Sequence, residues 1–306
     1  MNMKVTVVGA GNVGASLVEL IAHSGIADVV MTDIAEGIPQ GKALDINQAC
    51  ALWGSSSTVT GTNDYEETAK SEIIVITAGL ARKPGMSRDD LLAANSKIVG
   101  SVAEETIKHS PDAKIINVTN PMDVMAHVAL ERSGINSDRV IGMGGVLDAA
   151  RFRTFVAWEL GVSIRDVEAL VMGGHGDSMV PMPRFTTVKG VSINELIPED
   201  RVKALIERTQ NGGAEIVAHL KTGSAYYAPA ASTFEMVRSI LLDEKRTLPC
   251  SVLLKGQYGI DNIYSGVPVV LGANGVEKVI ELKLTDEESE LLKKSAQAVK
   301  SLVDNL

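Results

Sequence analysis

The sequence predicts an α/β fold: a Rossmann-type doubly wound parallel sheet over residues 1–143, followed by an α+β substrate and catalytic domain over residues 144–306. Three observations carry that expectation. A glycine-rich turn at Gly9, Gly11 and Gly14 joins the first apolar run to a helical segment. Apolar, β-branched runs then alternate with helical periodicities as far as Ile141, the rhythm of a parallel sheet. Beyond Gly142 the alternation gives way to hairpin-like pairs and consecutive helices.

Val5-Thr6-Val7-Val8 is short and valine-rich, as a buried parallel strand should be. The three glycines after it have separate tasks. One makes the tight bend, one lets the backbone approach a pyrophosphate, and one lets helix and strand pack closely. The following helix, with Leu17, Leu20 and Ile21 at helical spacing, points its free N–H groups and positive dipole end at that phosphate. Gly9, Ala10, Gly11, Asn12, Val13 and Gly14 are the candidate phosphate-binding residues. A second strand ends in Asp33, roughly twenty residues on, where an acid accepts the ribose 2′-hydroxyl of NAD and repels the extra phosphate of NADP. Ile34 and Ala35 follow, so no arginine waits for that phosphate. The expected cofactor is NAD.

A helical pattern then passes through Leu44, Ile46 and Ala49, and Thr58-Val59-Thr60 reads as a third strand. The next strand covers residues 73–77. A polar loop over 80–88 contains Pro84 and Gly85, which rule out a helix there. A long helix should span 89–109, opened by two acids and closed before Pro111. Residues 114–119 form a strand stopped at Asn120-Pro121, and a helix through Val124, Val128 and Leu130 leads to a strand at Val140-Ile141. The helix over 147–160 carries Asp148 and Arg151 three apart, hence on one face. Residues 167–172 read as one strand ending in Gly173-Gly174-His175-Gly176-Asp177. Hairpin-like strands near 184–188 turn at Lys189-Gly190. Helices over 201–220 and 226–242 and strands near 251–254 and 267–271 follow. The last helix opens on a capping box, Thr285 with Glu288, and should turn Leu291, Leu292, Ala296, Val299 and Val303 inward.

Composition bounds the function. A chain of 306 residues exceeds one comfortable core, so two sub-domains sharing an interface are expected. At 45% apolar and 22% charged residues it has the balance of a globular protein. No apolar run approaches the ~20 residues of a membrane span. The first strand starts too early to leave room for a signal peptide, so a cytoplasmic location is expected. A formal charge of −9 with 4% aromatics argues against a nucleic-acid surface. Cys50 and Cys250 suggest no disulfide framework, and no CxxC occurs. The histidines show no HExxH or other ligand spacing, so no metal is expected.

His175 stands apart from the other histidines. It lies between glycines at the end of an apolar strand, exposed to a ligand, whereas His23, His109, His127 and His219 fall within or at the ends of amphipathic helices. Spacing leaves its partner open: Asp177 and Asp148 are both available. Arg82 and Arg88 share the loop after a sheet strand, where open α/β folds bind ligands, and Arg151 shares a helix face with Asp148. Two or three guanidinium forks beside a nicotinamide would suit a small dianion.

Five motifs in order, GAGNVG with Asp33, ITAGLARKPGMSR, VTNPMDV, GVLDAARFR and GGHGDSMVP, resemble the lactate/malate dehydrogenase family, in its lactate-dehydrogenase-like branch of malate enzymes, over essentially the whole chain. The resemblance implies reversible oxidation of (S)-malate to oxaloacetate, a step of the tricarboxylic acid cycle, with a histidine and aspartate handling the proton. On that reading His175 exchanges the proton, Asp148 is its carboxylate partner and Asp177 is local structure. Arg151 grips the C1 carboxylate, Arg88 polarises the reacting carbonyl, and Asn120 bonds the same oxygen. Thr77, Ala78, Gly79, Asn95, Val118, Thr119 and Asn120 line the NAD site. Arg82 stands where lactate enzymes of the family typically carry glutamine, and offers a counter-charge to a second carboxylate. Ala225 fits the small residue of malate enzymes. The family forms homodimers or homotetramers, and helices around 41–51 and 202–220 could supply the surfaces. The alternatives are an L-lactate dehydrogenase and, from another class, a non-catalytic NAD-binding protein. A short-chain dehydrogenase is excluded, since no tyrosine has a lysine four residues later.

Overall fold

A computed structural model of the chain describes residues 3–80 and 88–306, Arg88 by its backbone alone. The first half winds β1 (Lys4–Val8), α1 (Asn12–Ser24), β2 (Asp28–Thr32), α2 (Ile38–Trp53), β3 (Val59–Thr62), β4 (Ile73–Ile76), α3 (Arg88–His109), β5 (Lys114–Asn117), α4 (Met122–Ser133) and β6 (Val140–Gly142). The six strands are parallel, in the order β3-β2-β1-β4-β5-β6. Helices cover both faces, so Val5, Val7 and the whole of β4 are fully buried, as the unbroken apolar runs require. The chain crosses from one edge back to the other side of β1 between β3 and β4. The carboxyl ends of β1 and β4 therefore flank a crevice at the point where the strand order reverses.

The second half runs α5 (Gly145–Leu160), β7 (Val167–Glu168), β8 (Val171–Gly173), β9 (Met179–Pro181), β10 (Thr187–Val188), β11 (Val191–Ser192), α6 (Ile193–Leu196), α7 (Glu199–Leu220), α8 (Tyr227–Leu241), β12 (Arg246–Lys255), β13 (Asp261–Gly272), β14 (Gly275–Val279) and α9 (Asp286–Val303). The large sheet continues antiparallel as β6-β12-β13-β8-β9, with β14 on β13, and β11-β10-β7 form a small separate sheet. The predicted class, a parallel doubly wound sheet followed by α+β structure, is the one observed. A second, smaller apolar cluster around Phe152, Val156, Val167 and Leu205 packs α5 against α7.

Three local expectations need correction. The single strand expected over 167–172 is two. Val167 pairs with Val188 in the small sheet, while Gly173 pairs with Gly266 in the large one, so the chain changes sheets at Ala169-Leu170. β12 and β13 are longer than their apolar centres suggested: their pairing runs from Arg246 opposite Leu271 to Lys255 opposite Asp261, and Pro249 lies opposite Pro268, so the two residues without an N–H share one position of the ladder. Leu291 is 46% exposed, whereas Leu292, Ala296 and Val299 of the same helix are buried. The Lys189-Gly190 turn is as expected, with φ of 50° and 89° at its two residues.

The capping box of α9 is complete. The Glu288 N–H donates to Thr285 Oγ1 at 3.2 Å, and the Thr285 N–H donates to Glu288 Oε2 at 2.8 Å. Thr285→Ala should cost about 1 kcal/mol in urea unfolding. An unchanged midpoint and slope would show that the rest of the terminus compensates.

Candidate active site

Gly9, at the end of β1, has φ of +108°, and a Cβ there would meet Thr77 Oγ1 at 2.6 Å and the Ala78 nitrogen at 2.7 Å. It therefore makes the bend and brings β1 against the exit of β4. A Cβ on Gly14 would lie 1.9 Å from the Gly9 carbonyl oxygen, so that glycine is the close-packing one. A Cβ on Gly11 would meet no atom of the chain within 4 Å, which leaves its face open to a ligand. Gly11 also caps α1 with no side-chain bond to the first turn, so the N–H groups there can take an anion. Asp33 is fixed beside this turn: the Ala10 N–H donates to its Oδ2 at 2.6 Å and the Ala35 N–H to its Oδ1 at 2.9 Å. The motif did not reveal Lys42, whose Nζ donates to the Ala10 carbonyl at 2.6 Å and braces the turn from α2.

Thr77 Oγ1 donates to the Val8 and Gly9 carbonyls, each at 3.1 Å, and Thr119 Oγ1 donates to the Ala78 carbonyl at 2.7 Å. The exits of β1, β4 and β5 are thereby tied side by side. Asn95 is almost fully buried. Its amide donates to the Asn120 carbonyl at 2.7 Å, and its Oδ1 accepts the Leu80 N–H at 2.8 Å. This leaves the Asn120 side chain exposed at the rim.

His175 sits where the antiparallel extension meets this edge. Its Nδ1 lies 2.8 Å from Asp148 Oδ2, and Arg151 Nη1 donates to Asp148 Oδ1 at 3.1 Å. The i, i+3 spacing on α5 puts the carboxylate and the guanidinium side by side, and that carboxylate is 1% exposed against 12% for the imidazole. Burial pulls the ring's proton affinity down, but the charge and hydrogen bond of Asp148, with the charge of Asp123, outweigh it and hold the pKa above the usual 6.5. The loop is anchored from behind: the Gly174 N–H donates to Ser295 Oγ at 2.7 Å and the His175 N–H to Asp123 Oδ2 at 2.8 Å. Gly212 and Gly213 of α7 leave room for the Arg151 side chain, since a Cβ on Gly212 would lie 3.1 Å from its Cδ.

These groups line one cavity of about 510 Å³, with Val13, Thr77, Gly79, Val118, Thr119 and Asn120 from the parallel half and Arg151, His175 and Ala225 from the second half. A second cleft of about 590 Å³, between α7 and α9, contains Arg184 and Lys203 already paired with Glu288 and Glu199. Arg82 lies outside the described residues, as does the side chain of Arg88. Sequence reasoning missed Gln210, Asn211 and Ser224, which line the cavity, and Asp123. Asp123 lies inside the VTNPMDV motif, and its position three residues after Asn120 was the available signal.

Residues 3–142 match the NAD binding domain of lactate/malate dehydrogenase, and residues 145–306 match that family's alpha/beta C-terminal domain. The chain belongs to the lactate/malate dehydrogenase family. It is an NAD-dependent oxidoreductase, and its cofactor is NAD. The match to malate dehydrogenase of Thermomicrobium roseum is 58% identical and covers 99% of this chain and 98% of the relative. The malate dehydrogenase structure from Salinibacter ruber is 53% identical with a TM-score of 0.95, covering 99% of this chain and 97% of that one. The lactate dehydrogenase from Cryptosporidium parvum, complexed with lactic acid and NAD, is 42% identical with a TM-score of 0.96, covering 99% and 98%. The cradle of this family member suits a dinucleotide: Gly11 is open, the first turn of α1 has no side-chain cap, and the Asp33 carboxylate is held beside the turn.

Proposed function

We propose that the chain is a malate dehydrogenase, interconverting (S)-malate and oxaloacetate. The observation that carries this reading is His175 held by Asp148, with Arg151 on the same carboxylate, across one cavity from the NAD edge. When bound, NAD takes up hydride in one direction and, as NADH, delivers it in the other. The chain's residues do the rest. Asp148 engages Nδ1 of His175, so Nε2 takes the hydroxyl proton of malate or returns it to oxaloacetate. Arg151, oriented by Asp148, meets the C1 carboxylate as a fork. Arg88 draws on the carbonyl oxygen, Asn120 hydrogen-bonds it, and Arg82 pairs with the second carboxylate. Ala225 leaves space for that group. Asp33 accepts the ribose hydroxyl, and the Gly9 to Gly14 turn takes the pyrophosphate, with Asn12 and Val13 on it. Ala78 and Asn95 hold the edge on which the cofactor lies.

The malate dehydrogenases of Thermomicrobium roseum and Salinibacter ruber are 58% and 53% identical to this chain, against 42% for the lactate dehydrogenase of Cryptosporidium parvum, which supports malate over the lactate alternative. An intact His175, Asp148 and Arg151 disfavours a non-catalytic NAD-binding protein. The division we propose is a cofactor unit over 1–143 and a catalytic unit over 144–306. The reaction is the malate step of the tricarboxylic acid cycle, and the proposed location is the cytoplasm. No helix among the described residues is long and apolar enough to cross a membrane.

The two directions should depend on pH with opposite sign. Reduction needs the protonated ring, so kcat/KM for oxaloacetate should fall as pH rises through a value above 6.5, while malate oxidation rises over the same range. Initial rates in both directions test this. Absent oxaloacetate turnover would sink the function, and parallel profiles would remove His175 from the proton transfer.

Self-association as a homodimer or homotetramer fits the apolar residues left on α2 and α7. Leu44 is 61% and Leu52 89% exposed, and Val217 and Leu220 are also uncovered. Light scattering should give two or four chains; a monomer at micromolar concentration would contradict the proposal.

A further inference from the structure

We propose that Asp123 is a positioning residue for His175, holding its backbone amide and facing its ring with a second carboxylate. The inference rests on the functional reading above and adds a residue to it. Asp123 lies in the first turn of α4, two residues past Pro121, so the segment that carries Asn120 also carries the anchor of the histidine loop. Its two oxygens each accept one hydrogen bond: Oδ2 from the His175 N–H at 2.8 Å, Oδ1 from the Ser251 hydroxyl of β12 at 2.6 Å. Three elements distant in sequence thus meet on one carboxylate. The position is buried, and a Cβ on Gly174 would lie 3.4 Å from Oδ2, so the loop presses directly on it.

The charges explain why a carboxylate stands there. Among the described residues, the charged groups acting on the ring are Asp148 and Arg151 from α5 and Asp123 from α4. Ser295 of α9 and Ser251 of β12 anchor the same region as neutral groups, Gln210 and Asn211 of α7 line its cavity, and Asp177 follows in the loop. Among these three described groups, two carboxylates face one guanidinium when Asp123 is ionised, and their charges are balanced only when the imidazole carries its proton. With Asp123 neutral, the Asp148–Arg151 pair alone is balanced and the ring proton has one counter-charge fewer. Burial, with the Asp148 charge, lifts the Asp123 carboxyl above its ordinary value, while the Ser251 bond, the His175 N–H, the His175 charge and the positive end of α4 pull toward the ion without cancelling that rise.

Asp123→Asn separates charge from anchoring. Its Oδ1 can still accept the His175 N–H, and its amide can donate to Ser251. The readout is the titration midpoint of His175 in 15N-histidine-labelled, NAD-bound enzyme, assigned by loss of its signal in His175→Gln. The expected midpoint falls by about one pH unit in Asp123→Asn. Ser251→Ala, which removes a bond favouring the ion, should shift it the same way by less. The alkaline limb of oxaloacetate reduction should move with the midpoint, while NADH affinity stays within about twofold. Midpoints unchanged in both variants would overturn the proposal. If Asp123→Asn does not fold, Ser251→Ala decides alone. A wild type that shows a normal His175 titration but no oxaloacetate turnover would defeat the functional reading while leaving the His175–Asp123 coupling measurable.

Discussion

Replacing His175 by asparagine should lower kcat for oxaloacetate reduction by roughly 10²- to 10⁴-fold, the range that a positioned proton donor supplies. Asparagine is smaller than the imidazole and polar, so the fold and the cofactor cradle should survive. NADH binding, followed by fluorescence, should be unchanged, because the glycine turn and Asp33 lie on other elements. Residual activity within tenfold of the wild type would mean that another group moves the proton. Stability should change its pH dependence as well. The folded-state pKa of His175 is raised, so its stabilising contribution is complete below the unfolded value of 6.5 and is lost as pH climbs through the folded value. The asparagine variant should lack that loss.

Arg82→Gln should swing the oxaloacetate-to-pyruvate ratio by about 10²- to 10³-fold toward pyruvate. In the wild type, pyruvate would leave the guanidinium without a partner in a closed site, a penalty of about 3–5 kcal/mol for a desolvated charge. Glutamine removes the penalty and, with it, the counter-charge for the second carboxylate. Arg151 and His175 are untouched, so NADH affinity and the pH profile should stay. The change must appear as loss of oxaloacetate kcat/KM together with gain on pyruvate. An unchanged ratio would place Arg82 in solvent.

Much of this was legible in the sequence for physical reasons. Strand β1 and the glycine turn are local: three glycines leave one economical geometry, and Gly9, Gly11 and Gly14 divide bend, approach and packing as the pattern requires. Asp148 and Arg151 were legible because helix periodicity alone puts them together. His175 with Asp148 was not, since residue spacing left Asp177 equally available and only the resemblance chose between them. What escaped reading depends on long-range pairing. The division of 167–172 between two sheets reflects partners at Val188 and Gly266. Lys42 and Asp123 act on backbone groups of other elements; no local spacing encodes the first, and the place of Asp123 in VTNPMDV marks the second without naming its partner. Leu291 satisfies the helical period yet stays exposed, because periodicity marks a face without fixing how much of it the sheet covers.

The most direct measurement is the ratio of kcat/KM for oxaloacetate to that for pyruvate under saturating NADH. Cationic forks for a carboxylate at both ends of a four-carbon acid predict a ratio well above a hundred. A ratio near or below one would contradict them.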